Sequence, residues 1–333
     1  MSDEIPPIPP VPEGIREAAQ RGTLIPFIGA GASVIAGCPG WTQFADGALG
    51  QFVEQARISH AQIAQISHLN PRVKLSLARG LQEEHGFPID FRKLLHPSGK
   101  RDDPKGRQLY GSLSKLGKTF VTTNYDEWLD EEVDVPSLPV GTPVNPAVAP
   151  APRSRNVLHR VQDLTAANLN QPSTVIHLHG SLLDPDGMIL TTQDYVRHYA
   201  NDRISGDADR ENRVLTFLEH LFKQKTVLFV GYGLEELEIL EYVILKARRI
   251  RATDRVEAKH FLLHGFFSHE DDLMRSLKRY YLRECGIQLI PFLRDQRDWD
   301  QLLEVLEEFA RLAPASAPMY LQEFKEMEDL LNG

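Results

Sequence analysis

The chain has 333 residues, 42% hydrophobic and 25% charged, with a formal net charge of −9. At roughly 100–200 residues per domain this means two domains or one large α/β domain with insertions, ample to bury a core without staples. The acidic balance argues against nucleic acid as a direct ligand, because phosphate binding needs a basic surface. Two cysteines, Cys38 and Cys285, exclude a disulfide framework and any zinc module that needs three or four thiolates; they suit a reducing, cytoplasmic setting. The longest apolar runs, around Thr226–Val230 and residues 261–263, fall far short of the ~18 residues of a membrane span. The N-terminus does not read as a signal peptide, because Asp3 and Glu4 come first and prolines follow.

Residues 1–13 form a proline-rich arm in which residues 5–12 read I-P-P-I-P-P-V-P. Each ring fixes φ and removes a backbone donor, so the arm is extended, either as an ordinary terminus or as a strap on a neighbour. A helix is expected over Glu13–Gln20, then a strand over residues 23–28 ending at Gly29-Ala30-Gly31-Ala32-Ser33. A buried parallel strand feeding a glycine turn reads this way. Residues 42–116 are expected to form a helical insertion, with Phe44, Ala48, Leu49, Phe52 and Val53 at helical spacing and breaks at Asn70-Pro71, Gly86-Phe87-Pro88 and His96-Pro97. A second strand over residues 118–123 runs into Asn124-Tyr125-Asp126, and residues 133–172 read as a surface excursion that starts rich in proline, valine and alanine.

A third strand over residues 173–178 leads to His179-Gly180. A fourth, Thr226–Val230, leads to Gly231-Tyr232-Gly233 and an amphipathic helix with Leu234, Leu237, Val243 and Ile244. The basic run over residues 246–251 reads as a solvated helix end, where cations complement the helix dipole. Strands over 259–263 and 286–292 flank a helix over 268–283. Residues 296–333 supply C-terminal helices: one with Trp299, Leu302, Leu303, Leu306 and Phe309 on one face, and a last one over about 319–331. The apolar stripe of that last helix needs cover, from its own domain or in an assembly. Strands separated by helices mean α/β architecture with a doubly wound parallel sheet, in which ligands bind at the carboxyl ends of the strands.

Four of those ends carry glycine or polar residues. Gly29-Ala30-Gly31-Ala32-Ser33 allows close backbone approach to a diphosphate beside a helix start, although Val34 stands where the third glycine of a G-x-G-x-x-G fingerprint falls. Asn124 can hold a water or a sugar hydroxyl and Asp126 can accept hydroxyl hydrogen bonds; the alternative is an Asx turn capping a helix near Glu127. His177 and His179 lie two apart, on one face of an extended strand, without a third metal ligand nearby, so no metal site is expected. His179 beside Gly180 suits a general base, and His177 a structural role. The G-x5-G-K-T stretch over residues 111–119 has one residue too many for a phosphate-binding P-loop and leads into a strand.

Taken in order, L-I-P-F-I-G-A-G-A-S from Leu24, T-T-N-Y-D from Thr122, H-L-H-G-S from His177, T-T-Q-D-Y from Thr191 and F-V-G-Y-G-L from Phe229 resemble the sirtuin superfamily. More narrowly, they resemble the sirtuin-like NADases of bacterial anti-phage defence. The resemblance covers about residues 14–295 and implies a Rossmann-like, NAD-binding catalytic domain. It implies that Gly29, Ala30, Gly31 and Ser33 hold the diphosphate and that Gly231 and Gly233 line the adenosine end. Thr123 and Gly180 join the binding site. Asn124 would position the attacking water, Asp126 would bind the nicotinamide ribose and His179 would be the base. Trp41, with Phe44, would close over nicotinamide; the alternative places Trp41 in the core.

The four-cysteine zinc domain of deacylase sirtuins is absent, and their G-I-P-D-F-R segment is here Gly37-Cys38-Pro39-Gly40-Trp41. These departures favour hydrolysis of NAD to ADP-ribose and nicotinamide over lysine deacylation or ADP-ribosyl transfer, with cyclisation of ADP-ribose left open. A second class of reading is a sensor that holds NAD or ADP-ribose without turnover. The resemblance further implies abortive infection as the setting, a homo-oligomer, and a separate partner, either a HerA-family ATPase or a short Argonaute.

Overall fold

A computed structural model describes residues 4–97, 103–132, 153–199, 212–233 and 259–316. Among the described residues seven strands, β1 (Leu24–Ile28), β2 (Thr119–Thr122), β3 (Asn156–Leu158), β4 (Thr174–His177), β5 (Thr226–Val230), β6 (His260–Phe266) and β7 (Ile287–Leu293), form one sheet. Their order is β3-β4-β2-β1-β5-β6-β7 and every pairing is parallel. The fold is therefore the doubly wound, Rossmann-like α/β sheet that the sequence predicts.

The central strands are apolar throughout because both faces are covered. Side chains alternate across a strand, so Leu24 and Ile28 of β1, with Leu228 and Val230 of β5, point into one core. Ile25, Phe27, Val227 and Phe229 point into the other. The first core is closed by α1 (Glu13–Gln20), by Leu109 and Leu113 of α7 (Pro104–Leu116), and by Leu306 and Phe309 of α11 (Gln301–Leu312). The second is closed by Phe217 and Leu221 of α9 (Arg213–Gln224) and Met274 of α10 (Asp271–Tyr280).

A third, smaller core belongs to the insertion. Phe44, Leu49 and Phe52 of α3 (Trp41–Glu54) pack with Leu75 and Ala78 of α5 (Pro71–His85) and Phe91 of α6 (Phe91–Leu95). The same cluster takes in Tyr125 just past β2 and Leu182, Met188 and Leu190 past β4, so the insertion is seated on the carboxyl edge of the sheet. By packing, the insertion is narrower than residues 42–116, because α7 covers the sheet itself.

Two further differences from the expected elements have simple causes. β3 lies inside the stretch 133–172 expected as a surface excursion; it is a three-residue edge strand, too short and too exposed to show periodicity. Trp299 is not on the face of α11. It sits in the 3-10 turn Asp298–Asp300 ahead of that helix, 39% exposed, with the Arg294 guanidinium 3.8 Å above its ring. The proline arm lies on its own domain: Ile5 and Val11 are buried, and the Leu293 amide donates to the Pro6 carbonyl at 3.0 Å. The expected helix after Gly233, the basic run 246–251, the opening of the surface excursion (133–152) and the last helix over 319–331 lie outside the described residues.

The chain leaves β1 to one side for β2 and returns on the other side as β5, which makes the carboxyl end of β1 the topological switch point. There the two glycine turns interlock. Gly29 donates to the Val230 carbonyl at 2.9 Å and Gly31 to the Gly231 carbonyl at 2.8 Å. Gly231 has φ of +70°, and a Cβ on it would lie 2.3 Å from the Ala32 nitrogen. Gly231→Ala should therefore cost more than the ~1–2 kcal/mol of the left-handed conformation alone. Gly233→Ala, where a Cβ meets nothing within 4 Å, should be neutral. Urea midpoints test this, and equal midpoints for the two variants would refute the interlock.

Candidate functional site

A cleft of about 570 Å³ opens at the switch point, between the carboxyl ends of the central strands and the helical insertion. That volume lies within the ~300–1,000 Å³ of pockets that enclose drug-sized ligands. Its floor is a closed hydrogen-bond network. Ser33, in the short helix α2 (Ala30–Ile35), donates through Oγ to Asp126 Oδ2 at 2.6 Å. The same Oγ accepts from Asn124 Nδ2 at 2.7 Å and, its own proton being committed to Asp126, from the Tyr110 hydroxyl at 3.1 Å. Asn124 Nδ2 also donates to the Gly29 carbonyl at 2.9 Å, and Asp126 Oδ1 accepts from the Trp128 amide at 3.1 Å. Every member is buried, so the network fixes Asn124 and Asp126 rigidly. Asp126 thus makes an Asx turn and lies in the cleft wall at once, but the helix expected near Glu127 does not follow, residues 127–130 forming a bend and a turn instead.

The two histidines have opposite environments. His177 is buried with both ring nitrogens against acceptors, Nδ1 at 2.8 Å from the Asn124 carbonyl and Nε2 at 2.8 Å from Asp130 Oδ1. Burial works against its charge, but the Asp130 carboxylate outweighs burial and the pKa is raised. His177 is therefore a strut under Asn124, held at both ring nitrogens. His179 lines the cleft. Its Nε2 is 2.7 Å from the Tyr199 hydroxyl and its Nδ1 3.5 Å from the Tyr195 hydroxyl. Burial first, then the neighbouring His198 and Arg72, push its pKa well below the usual value, so the ring is neutral at pH 7.

Both tyrosines come from α8 (Thr192–Tyr199). The T-T-Q-D-Y motif acts as a cap there. Asp194 Oδ2 accepts from the Thr191 amide at 2.9 Å and Thr191 Oγ1 from the Asp194 amide at 3.1 Å, setting the helix that carries Tyr195 and Tyr199 to His179.

One wall of the cleft is aromatic. Trp41 stacks on Phe44 and on Tyr125, ring centroids 5.9 Å apart in each case, and is half-buried while Phe44 is fully buried. On the rim, Arg72 places its guanidinium 4.1 Å from the centroid of the Tyr195 ring. Arg72 is exposed and has no carboxylate partner among the described residues.

Of the residues expected to bind or react, Ala30, Ser33, Trp41, Thr123, Asn124, Asp126 and His179 all line this one cleft. Gly29, Gly31, Gly180, Gly231 and Gly233 are not among its lining residues. Gly29, Gly31 and Gly231 serve the interlocked turns. Gly180, at φ +86°, lets the chain pass Gly187, whose carbonyl a Cβ would meet at 2.8 Å. Ser33 differs most from its expected place at a diphosphate, since its hydroxyl is fully committed within the network. Thr123 Oγ1 is 2.9 Å from the Tyr232 hydroxyl, which joins the β2 and β5 ends. Sequence reasoning missed Tyr110, Arg72, His198 and Tyr199. Tyr110 reads as one more residue of an apolar helix face, and Arg72 only as the residue after a helix-starting Asn-Pro. Among the described residues no group of three His, Cys, Asp or Glu side chains could hold a metal, and no helix is long and apolar enough to cross a membrane.

Stability should depend on pH through the buried rings. Burial depresses His179, and it takes His198 and His264 to about 4 and His260 to about 3. In the unfolded chain each returns to about 6.5. The unfolded state then binds more protons below that pH, so stability is lost as pH falls from about 6.5 toward 4. His177 acts in the opposite sense, its contribution being present below about 6.5 and lost as pH rises through its raised value. Urea midpoints should fall on acidification across this window. A flat or rising midpoint would mean that these rings are charged in the folded protein.

Against known protein families, the SIR2-like domain matches residues 118–290, a little over half of the chain. The match begins just ahead of β2 and ends within β7, taking in Asn124, Asp126, His179 and Gly231, while the first glycine turn lies upstream of it. The parallel sheet, the cleft at its switch point and this match agree: the chain belongs to the SIR2-like family, whose domains are commonly NAD-dependent enzymes.

Proposed function

We propose that the protein hydrolyses NAD to ADP-ribose and nicotinamide, and the observation that carries this reading is the meeting of His179, Asn124 and Asp126 in one cleft. Nicotinamide is a good leaving group. The C1′–N bond breaks with its electron pair going to the base, a water oxygen adds to C1′, and one proton is lost. Such a reaction asks the protein mainly to orient ribose and water and to stabilise developing charge. Asn124 spends both N–H donors on Gly29 and Ser33, which leaves its Oδ1 to hold the water. Asp126 carries a carboxylate in the same wall, suited to ribose hydroxyls and to the positive charge that grows as the bond breaks. His179 is neutral at working pH; with Nε2–H donated to the Tyr199 oxygen, Nδ1 carries the lone pair and receives the proton, from the water or through a ribose hydroxyl.

The aromatic wall of Trp41, Phe44 and Tyr125 suits a flat heteroaromatic ring. The exposed guanidinium of Arg72 suits a diphosphate, a duty that the committed hydroxyl of Ser33 does not fill. Where the deacylase segment carries an acid and an arginine, this chain has Gly40 and Thr42, which favours water over an acyl-lysine as the acceptor. The reading extends to an effector of anti-phage abortive infection, acting as a homo-oligomer under the control of a HerA-family ATPase or, failing that, a short Argonaute. Light scattering on the pure protein should then give a mass well above that of one chain, and a monodisperse monomer active without a partner would remove this extension.

Release of nicotinamide from NAD by the pure protein, alone and with candidate partners, tests the central claim; NAD bound but never cleaved would mean a sensor. His179→Ala should lose ~10²–10⁴-fold in turnover and stay folded. His177→Ala should chiefly lower stability, because it leaves Asp130 buried and unpaired. Asn124→Ala should bind NAD in calorimetry yet turn over poorly, and equal loss of both would reduce Asn124 to a structural part of the network. Turnover should persist in EDTA, and activity lost on chelation and restored by a metal would contradict the mechanism.

A further inference from the structure

A second cavity, of about 180 Å³, lies at the opposite, amino end of the same central strands. It is bounded by the start of β1 (Thr23, Leu24), the start of β2 (Lys118, Thr119), Lys225 just ahead of β5, and Ser316. We infer that this cavity is a binding site for a phosphate group. The inference is independent of NAD and of the cleft.

The chief observation is the state of Lys225. Its side chain is buried, at 6% exposure, and among the described residues its ammonium has one hydrogen-bond partner, the neutral Asn170 Oδ1 at 2.7 Å. Two of its three N–H donors therefore have no partner among the described residues. Desolvating a cation without a counter-charge is costly, and burial does depress the Lys225 pKa. The other buried lysine among the described residues, Lys74, shows the usual solution, with its Nζ 2.7 Å from the Asp46 carboxylate. Buried Arg155 is satisfied differently, by two carbonyls and the Ser114 hydroxyl. Lys225 has neither remedy.

The cavity walls repeat this imbalance. Lys118 and Arg21 join Lys225 in the lining, and no carboxylate does among the described residues. Arg21 is tied to Glu17 in an exposed pair, whereas exposed Lys118 has no ion-pair partner among the described residues. Two lysines facing one small space match a dianion better than a carboxylate. Their free N–H groups and the Ser316 hydroxyl supply donors for phosphate oxygens. The volume is below the ~300 Å³ at which pockets enclose a drug-sized ligand, so the occupant is inorganic phosphate or the phosphate of a molecule whose remainder stays outside.

Thermal melts of the full chain, titrated with inorganic phosphate at constant ionic strength, test this. A ligand that binds only the folded state raises the midpoint saturably. We expect saturable stabilisation in the unaltered protein, at least tenfold weaker apparent affinity in Lys225→Met, and a several-fold loss in Lys118→Ser. Arg72→Ala, which alters the cleft, should leave the phosphate response unchanged. Should Lys225→Met fail to fold by circular dichroism, Lys118→Ser decides, because an exposed lysine has no packing to lose. Titration with AMP separates the sources: a response that depends on Lys225 means the site accepts a nucleotide's phosphate, and a response to inorganic phosphate alone means the free ion. Absence of saturable stabilisation overturns the proposal. So does a phosphate response that Lys225→Met and Lys118→Ser retain in full, or one that Arg72→Ala abolishes.

Discussion

Backbone contact between two glycine turns holds the site together. Gly29 and Gly31 donate to the carbonyls of Val230 and Gly231, and the approach is so close that a Cβ on either turn would overlap the other. Because of that contact α2 begins where it does, which places Ser33 over Asn124 and Asp126. The second contact between strand ends, Thr123 to Tyr232, extends the same closure. The glycines that invite comparison with a phosphate-binding turn are therefore spent on joining β1 to β5, and the residues that line the cleft, Ala30 and Ser33, stand between and after them.

Above that joint, two neighbouring histidines are driven in opposite directions. His177 and His179 are two residues apart, at the carboxyl end of one strand, yet the Asp130 carboxylate raises the pKa of the first while burial among Tyr195, His198 and Tyr199 lowers that of the second. A ring bonded at both nitrogens under Asn124 fixes its backbone, and a neutral ring in the cleft is able to take a proton. Each environment is built by a different element, the loop after β2 for His177 and α8 for His179.

The insertion completes the cleft rather than standing apart from it. Its core is shared with Tyr125, Leu182, Met188 and Leu190 from the sheet's own loops, so α3 and α5 are anchored to the residues that follow β2 and β4. This anchoring puts Trp41 against Tyr125 and Arg72 against Tyr195. The cleft thereby gains an aromatic wall and a cation that the sheet alone lacks.

Six of the seven strands were legible in the sequence, because buried parallel strands are short apolar runs that stop at glycine or polar residues. The residues that converge at their carboxyl ends were legible for the same reason: a doubly wound sheet sends all of those ends to one edge. The edge strand β3 was not legible, since three half-exposed residues carry no period. Nor was the place of Trp299, because a helical stripe and a turn just before it look alike in one dimension. Tyr110, Arg72 and Tyr199 entered the site only through packing, each from a helix whose sequence says which face is apolar but not what that face meets. The same limit applies to Ser33 and the glycines. Residue types and spacing determined that they stand at a strand end, but only the approach of β5 to β1 decided whether their hydrogen bonds were free for a ligand or used within the protein.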